Sequence, residues 1–218
     1  MPWYTAGNRP KQKAGAYGGF RLEDIKVLLT MQAHFDHVAA MKEIQQISGA
    51  KVYATEADAP SLEDGGKSDP VFGRSSWFAP IKVDRRLKDG DVVALGGTEL
   101  KVILTPGHSK GSVSYAATLM DRGQKRSVLI ANMGTVVMPL VGNTKYQHIA
   151  QDFQRAFAKQ KQLSPDIWVA AHASQYGMAE KLKAGSFVDP RGYKDAVERF
   201  EKMFEDQLAR QQKGASAN

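Results

Sequence analysis

A chain of 218 residues with 42% hydrophobic and 24% charged side chains is sized for one core and falls outside the compositions of disordered or collagen-like chains. It contains no Cys, which excludes disulfide scaffolds, thiolate zinc sites, iron–sulfur ligation and cysteine nucleophiles, so any metal must be held by nitrogen and oxygen. The net charge of +7 is spread among acids, residues 181–218 holding eight Lys/Arg against six Asp/Glu, which reads as a mixed surface and not as a nucleic-acid groove.

Residues 1–19 show neither helical nor strand periodicity and read as a loosely attached or disordered leader. Ile25 to Met31 is a short, β-branched, nearly continuous apolar run, the pattern of a strand buried on both faces. It leads into Gln32-Ala33-His34-Phe35-Asp36-His37. Val38 to Ser48 then carries apolar residues at three-residue steps and stops at Gly49, the pattern of a helix. Lys51–Ala54 is a second strand, so the segment is a βαβ unit.

Thr55 is placed to cap a short helix over Glu56–Leu62. Residues 65–80, rich in Gly and Pro around Phe72, Trp77 and Phe78, form a long loop whose Trp77 and Phe78 are placed to line a site. Strands are predicted over Asp91–Ala94, Glu99–Leu104, Ser112–Ala117, Ser127–Ala131 and Ile167–Ala171. An amphipathic helix is predicted from Thr144 to Gln162. A final helix is marked by the stripe Val197, Phe200, Phe204 and Leu208. The domain spans 20–212, and 213–218 read as a disordered tail.

Four of the five His fall at the carboxyl ends of predicted strands. His34 and His37 flank Asp36 after the first, His108 follows Glu99–Leu104 through Thr105-Pro106-Gly107, and His172 closes Ile167–Ala171. That is the edge of an open α/β sheet where ligands collect. His148 lies on the amphipathic helix and reads as a surface residue. Imidazole and carboxylate suit zinc when thiolates are absent. Four His and one Asp exceed what one four-coordinate zinc with an open position can use, so two adjacent metals are the economical reading.

The run Gln32 to His37, then Thr105-Pro106-Gly107-His108 with Gly111-Ser112, then Ala171-His172, resembles the metallo-β-lactamase superfamily with its His-x-His-x-Asp-His signature. Within it the chain is most similar to subclass B3 metallo-β-lactamases, since no Cys follows Ile130. The resemblance implies an α/β fold, the αβ/βα sandwich, and two Zn2+ per chain. One would be held by Gln32, His34 and His108 and the other by Asp36, His37 and His172. Gln32 stands where most members have His, and Met133 where most have Ser, a combination shared by the GOB-like variant. An amide oxygen is a poorer zinc ligand than an imidazole, so the Gln32 site is expected to be the weaker.

The activity implied is hydrolysis of the β-lactam amide by a metal-bound hydroxide, with Asp36 as ligand and orienting group, conferring antibiotic resistance. The alternatives are a lactone, thioester or phosphodiester hydrolase of the same superfamily, or a truncated zinc-binding chain with little activity. Ser112, Tyr115, Met133, Ser174 and Gln175 lie near the ligands and are candidate substrate contacts, the partner being a small molecule and not nucleic acid or membrane. Family members place strands ahead of the signature, whereas 31 residues precede Gln32. The expectation is an incomplete N-terminal sheet, from a truncated or misassigned reading frame, with self-association through an uncovered sheet edge. No apolar run approaches the roughly 18 residues of a membrane span and no signal peptide is present. As written the chain reads as cytoplasmic, whereas the resemblance implies a periplasmic or secreted enzyme.

Overall fold

The structure is a computed structural model that describes residues 21–216. The leader assigned to 1–19 lies outside the described residues. Two sheets face each other. The first holds β1 (Val27–Leu29), β2 (Lys51–Thr55) and β3 (Arg85–Leu87) in the order β1-β2-β3, all parallel. The second holds β4 (Val92–Leu95), β5 (Thr98–Leu104), β6 (Val113–Asp121), β7 (Gln124–Ala131) and β8 (Ile167–Ala170) in sequential order. Its pairs are antiparallel except β7–β8, which are parallel.

The connection from β1 to β2 passes through α1 (Phe35–Val38) and α2 (Met41–Ser48). Gly49 closes α2 at a φ of 68°, the left-handed conformation glycine adopts at no steric cost. After β2 comes α3 (Ala59–Asp64), three residues later than the sequence suggests, because Asp58 and not Thr55 is its first flanking residue. Between β7 and β8 lies α4 (Ile149–Gln160). Two helices, α5 (Met178–Ala184) and α6 (Pro190–Ser216), complete the chain. The last continues through residues assigned to a tail. Among the described residues, no helix is long and apolar enough to cross a membrane.

Three apolar clusters define the layers. Met41, Val52, Ala54 and Leu62 pack α2 and α3 on the outer face of the first sheet. Leu87, Val93, Val102, Val113 and Tyr115 fill the space between the sheets. Ile103, Leu129 and Trp168 meet Phe153 and Phe157 of α4 and Tyr193, Phe200 and Phe204 of α6 on the outer face of the second sheet. The Phe153, Phe157 and Phe204 rings stack with centroids 5.2, 5.8 and 6.1 Å apart. The order helix, sheet, sheet, helix is the αβ/βα sandwich.

One expectation is corrected. All of β1 is half-buried rather than buried on both faces, because among the described residues it pairs only with β2 and stands at the sheet edge. Three elements were missed: β3, whose Arg-Arg-Leu sequence carries no apolar alternation, and the short helices α1, which lies within the Gln32–His37 run and its flank, and α5.

Candidate metal centre

Strand direction gathers the site. Both β5 and β7 run antiparallel to β6, and β8 runs parallel to β7, so β5, β7 and β8 end on one edge of the second sheet. The turns beyond those ends carry His108, Thr135 and His172. The turn after β1 brings Gln32, His34, Asp36 and His37 to the same edge. It is anchored there by hydrogen bonds from Val113 N to Met31 O (3.0 Å) and from the Tyr115 hydroxyl to Thr30 O (2.9 Å).

Two groups of donors result. In the first, His34 Nδ1 and His108 Nε2 face each other at 3.1 Å, both rings buried. Two nitrogens bound to one tetrahedral zinc at about 2.0–2.1 Å would stand roughly 3.3 Å apart. The far nitrogens are held from behind. His108 Nδ1 donates to Thr135 O at 2.7 Å, and His34 Nε2 lies 3.6 Å from Asp69 Oδ2. A carbonyl oxygen can only accept, so His108 carries its proton on Nδ1. Burial, the largest influence, pushes its pKa down to about 4, which leaves Nε2 a lone pair at neutral pH. A proton on His34 Nδ1 satisfies that lone pair directly; carried instead on Nε2, on the side of Asp69, it would leave two lone pairs facing a cation between the rings. The arrangement of imidazole, remote hydrogen-bond acceptor and vacant inner lone pair is the one metal-ligating histidines adopt.

The second group is Asp36, His37 and His172, one ligand atom from each lying within 4.8 Å of the others. Asp36 Oδ2 is 3.3 Å from His37 Nε2 and 3.9 Å from His172 Nε2. His37 Nε2 is buried with no hydrogen-bond partner, an atom that folded proteins rarely leave so. Desolvation, more than any neighbouring charge, lowers the His37 pKa below the ordinary histidine value, favouring the neutral ligand form. Both groups fit a cation by donor chemistry, and the second also by the orphaned nitrogen of His37.

Gln32 is buried two residues before His34, its backbone carbonyl accepting from Thr30 Oγ1. The substrate candidates divide. Ser174 is exposed and Gln175 half-buried, Gln175 Nε2 donating to Met133 O. Ser112, Tyr115 and Met133 are at most 2% exposed. Ser112 Oγ accepts from Ser109 N and the Tyr115 hydroxyl is spent on Thr30, so these side chains brace the turns and do not face an open surface. Trp77 is exposed under Lys67 and Arg74, and Phe78 packs against the first sheet's cluster. The aromatic residue of that loop at the site is Phe72, edge-on to His34 with centroids 5.0 Å apart. His148 is exposed at the start of α4.

Sequence reading missed the residues that touch the histidine-bearing turns: Asp58, Asp69, Ser109 and Thr135. The signal for Asp69 was its place in an unusually long loop. His34 and His108 also line a cavity of about 490 Å3, whose wall includes Lys67, Lys110 and Lys145.

A family model described as the metallo-beta-lactamase superfamily matches residues 7–119. Among solved structures, the class B3 di-zinc metallo-beta-lactamase LRA-12 from an Alaskan soil metagenome is 43% identical with a TM-score of 0.82, covering 87% of this chain and 75% of that one. The metallo-beta-lactamase GOB-18 from Elizabethkingia meningoseptica is 38% identical with a TM-score of 0.83, covering 88% and 74%. A hydroxyacylglutathione hydrolase from Fuscovulum blasticum is 35% identical over 106 residues, 49% of this chain. The chain spans 33% of that relative's length and 56% of a second curated relative's, from Mycobacterium bovis.

Proposed function

Because the chain belongs to the metallo-beta-lactamase superfamily, we propose that it is a zinc-dependent hydrolase of β-lactam amides. The observation that carries this reading is the pair of donor groups at one sheet edge, with His34 Nδ1 and His108 Nε2 3.1 Å apart in one and the unpartnered His37 Nε2 in the other. Gln32, His34 and His108 would hold one zinc ion and Asp36, His37 and His172 the other. Bound zinc supplies Lewis acidity and lowers the pKa of water to about 7.

The chain's own groups set up the rest. Thr135 O fixes the ring plane of His108 and Phe72 packs edge-on against His34, so little reorganisation is needed during reaction. Asp36 is exposed and accepts hydrogen bonds only, which suits it to orient a nucleophilic water and take its proton. Lys67, Lys110 and Lys145 give the adjoining cavity a positive rim, complementary to the carboxylate of a β-lactam. Phe72 covers one edge of His34 and limits water on that side.

A second reading is thioester hydrolysis, favoured by the similarity to the hydroxyacylglutathione hydrolase. Steady-state assays of the zinc-loaded chain on a carbapenem, a penicillin, a glutathione thioester and a lactone separate the two. β-Lactam turnover that is lost in His108→Ala supports the proposal. Turnover of the thioester or lactone alone, or of nothing, would overturn it.

A further inference from the structure

We infer that Asp58 is the positioning residue that sets the spacing between His34 and His108, an inference that rests on the metallohydrolase reading above. The two imidazoles arrive from different sheets, His34 from the turn after β1 and His108 from the turn after β5. Packed apolar surfaces between sheets are non-directional and do not by themselves fix two turns to the roughly 0.5 Å that a metal site requires. Something must tie turn to turn.

Asp58, which precedes α3 in the loop after β2, reaches both. Its Oδ2 accepts from Ala33 N at 3.1 Å, the residue immediately before His34, and from Ser109 Oγ at 2.7 Å, the residue immediately after His108. Its Oδ1 accepts from Gly111 N at 2.8 Å, further along the same turn. Thr55, three residues upstream, donates from Oγ1 to Gly111 O at 2.8 Å. The carboxylate is 5% exposed, and all three of its partners come from the two ligand-bearing turns. Contact at Gly111 is so close that a Cβ there would stand 2.7 Å from Asp58 Cγ.

Burying a carboxylate costs stability that an apolar side chain of similar size would not. A group meant only to fill this space would be apolar. A carboxylate with three converging donors is what joining two backbone turns at fixed distance calls for. Asn has the same shape but a single acceptor oxygen, so in Asp58→Asn an N–H of one turn is set against an amide N–H2 and the tie is broken.

The test is zinc affinity measured by competition with a chromophoric chelator, in backgrounds that isolate each donor group. In His172→Ala, which leaves the His34–His108 pair, adding Asp58→Asn is expected to weaken zinc binding tenfold to a hundredfold, the usual effect of losing a remote support. In His108→Ala, which leaves the Asp36–His37 group, the same change is expected to alter affinity by less than about twofold, since none of its hydrogen bonds reaches that group. The metal-free full chain gives a second readout: imidazole nitrogen resonances of His34 and His108 should move in Asp58→Asn while those of His37 and His172 stay. Should Asp58→Asn fail to fold, Ser109→Ala, which removes one bond of the three, decides with an expected loss of about fivefold at the His34–His108 pair alone. Equal affinities with and without Asp58 would overturn the assignment, as would equal losses at both groups. A wild-type chain that binds no zinc would overturn the hydrolase reading itself and the role of Asp58 with it.

Discussion

Gly111→Ala is the substitution whose cost follows most directly from the geometry. The added methyl group would stand 2.1 Å from Thr55 Oγ1 and 2.7 Å from both Asp58 Cγ and Asp58 N. Neither neighbour is the end of a flexible chain: Thr55 is held by its bond to Gly111 O, and the Asp58 backbone leads directly into α3. The turn must therefore move by about an ångström, which forces overpacking of about 1–3 kcal/mol. It also lengthens the Gly111 N–Asp58 bond, a bond to a carboxylate worth about 1.5–3 kcal/mol. Together the loss is about 3–5 kcal/mol against a total stability of about 5–15 kcal/mol. Gly73 is the control, since nothing lies within 4 Å of a Cβ there, and Gly73→Ala is expected to stay within about 0.5 kcal/mol of the natural chain. Urea denaturation followed by tryptophan fluorescence and by near-ultraviolet circular dichroism gives both free energies, and thermal melts should show a drop in Tm of about 6–20 °C for Gly111→Ala. A Gly111→Ala chain within about 1 kcal/mol of the natural one would refute the tight apposition of the two turns.

Three further outcomes are expected. Gln32→His replaces a neutral amide by a better zinc donor and should tighten binding at the His34–His108 pair in a chelator competition; unchanged or weaker binding would mean that residue 32 does not face that metal. Phe153→Ala empties the centre of the ring stack that also seats Gly107, whose Cβ would lie 2.7 Å from the Phe153 ring, and should cost about 3–5 kcal/mol in denaturant unfolding. A loss below about 1 kcal/mol would contradict the packing described. The Asp84 carboxyl is held below its ordinary value, burial that would raise it being outweighed by the Val52 backbone hydrogen bond and by Lys51 and Lys82. A group depressed in the folded state contributes stability that is present above its unfolded value and lost as pH falls through its folded one. Asp84→Asn should therefore lower Tm at pH 7, with the gap to the natural chain shrinking as pH falls below the ordinary carboxylate value of about 3.9; a constant gap as the pH is lowered would disprove the assignment.

How far the sequence carried depends on the kind of signal. Apolar runs such as Ile25–Met31 and Ser127–Ala131, and the stripe Val197, Phe200, Phe204 and Leu208, located seven of the eight strands and four of the six helices to within a few residues. β3 escaped because its residues earn their place by backbone pairing with β2, which leaves no apolar period. The candidate ligands were legible because His and Asp at strand ends are chemically conspicuous. Asp58 and Asp69 were not, since an acid before a short helix or in a loop is ordinary until the fold shows what accepts its hydrogen bonds. The burial of Tyr115 was not legible either: nearness in sequence to a candidate ligand says nothing about which way a strand's alternating side chains point.

Zinc stoichiometry of the purified chain, alone and with one histidine removed from each donor group, tests the central claim most directly. Equilibrium dialysis followed by elemental analysis should give two zinc ions per natural chain and one each for His108→Ala and His172→Ala. A natural chain that retains none after dialysis against micromolar zinc, or variants that retain as much as it does, would contradict the paired metal centre.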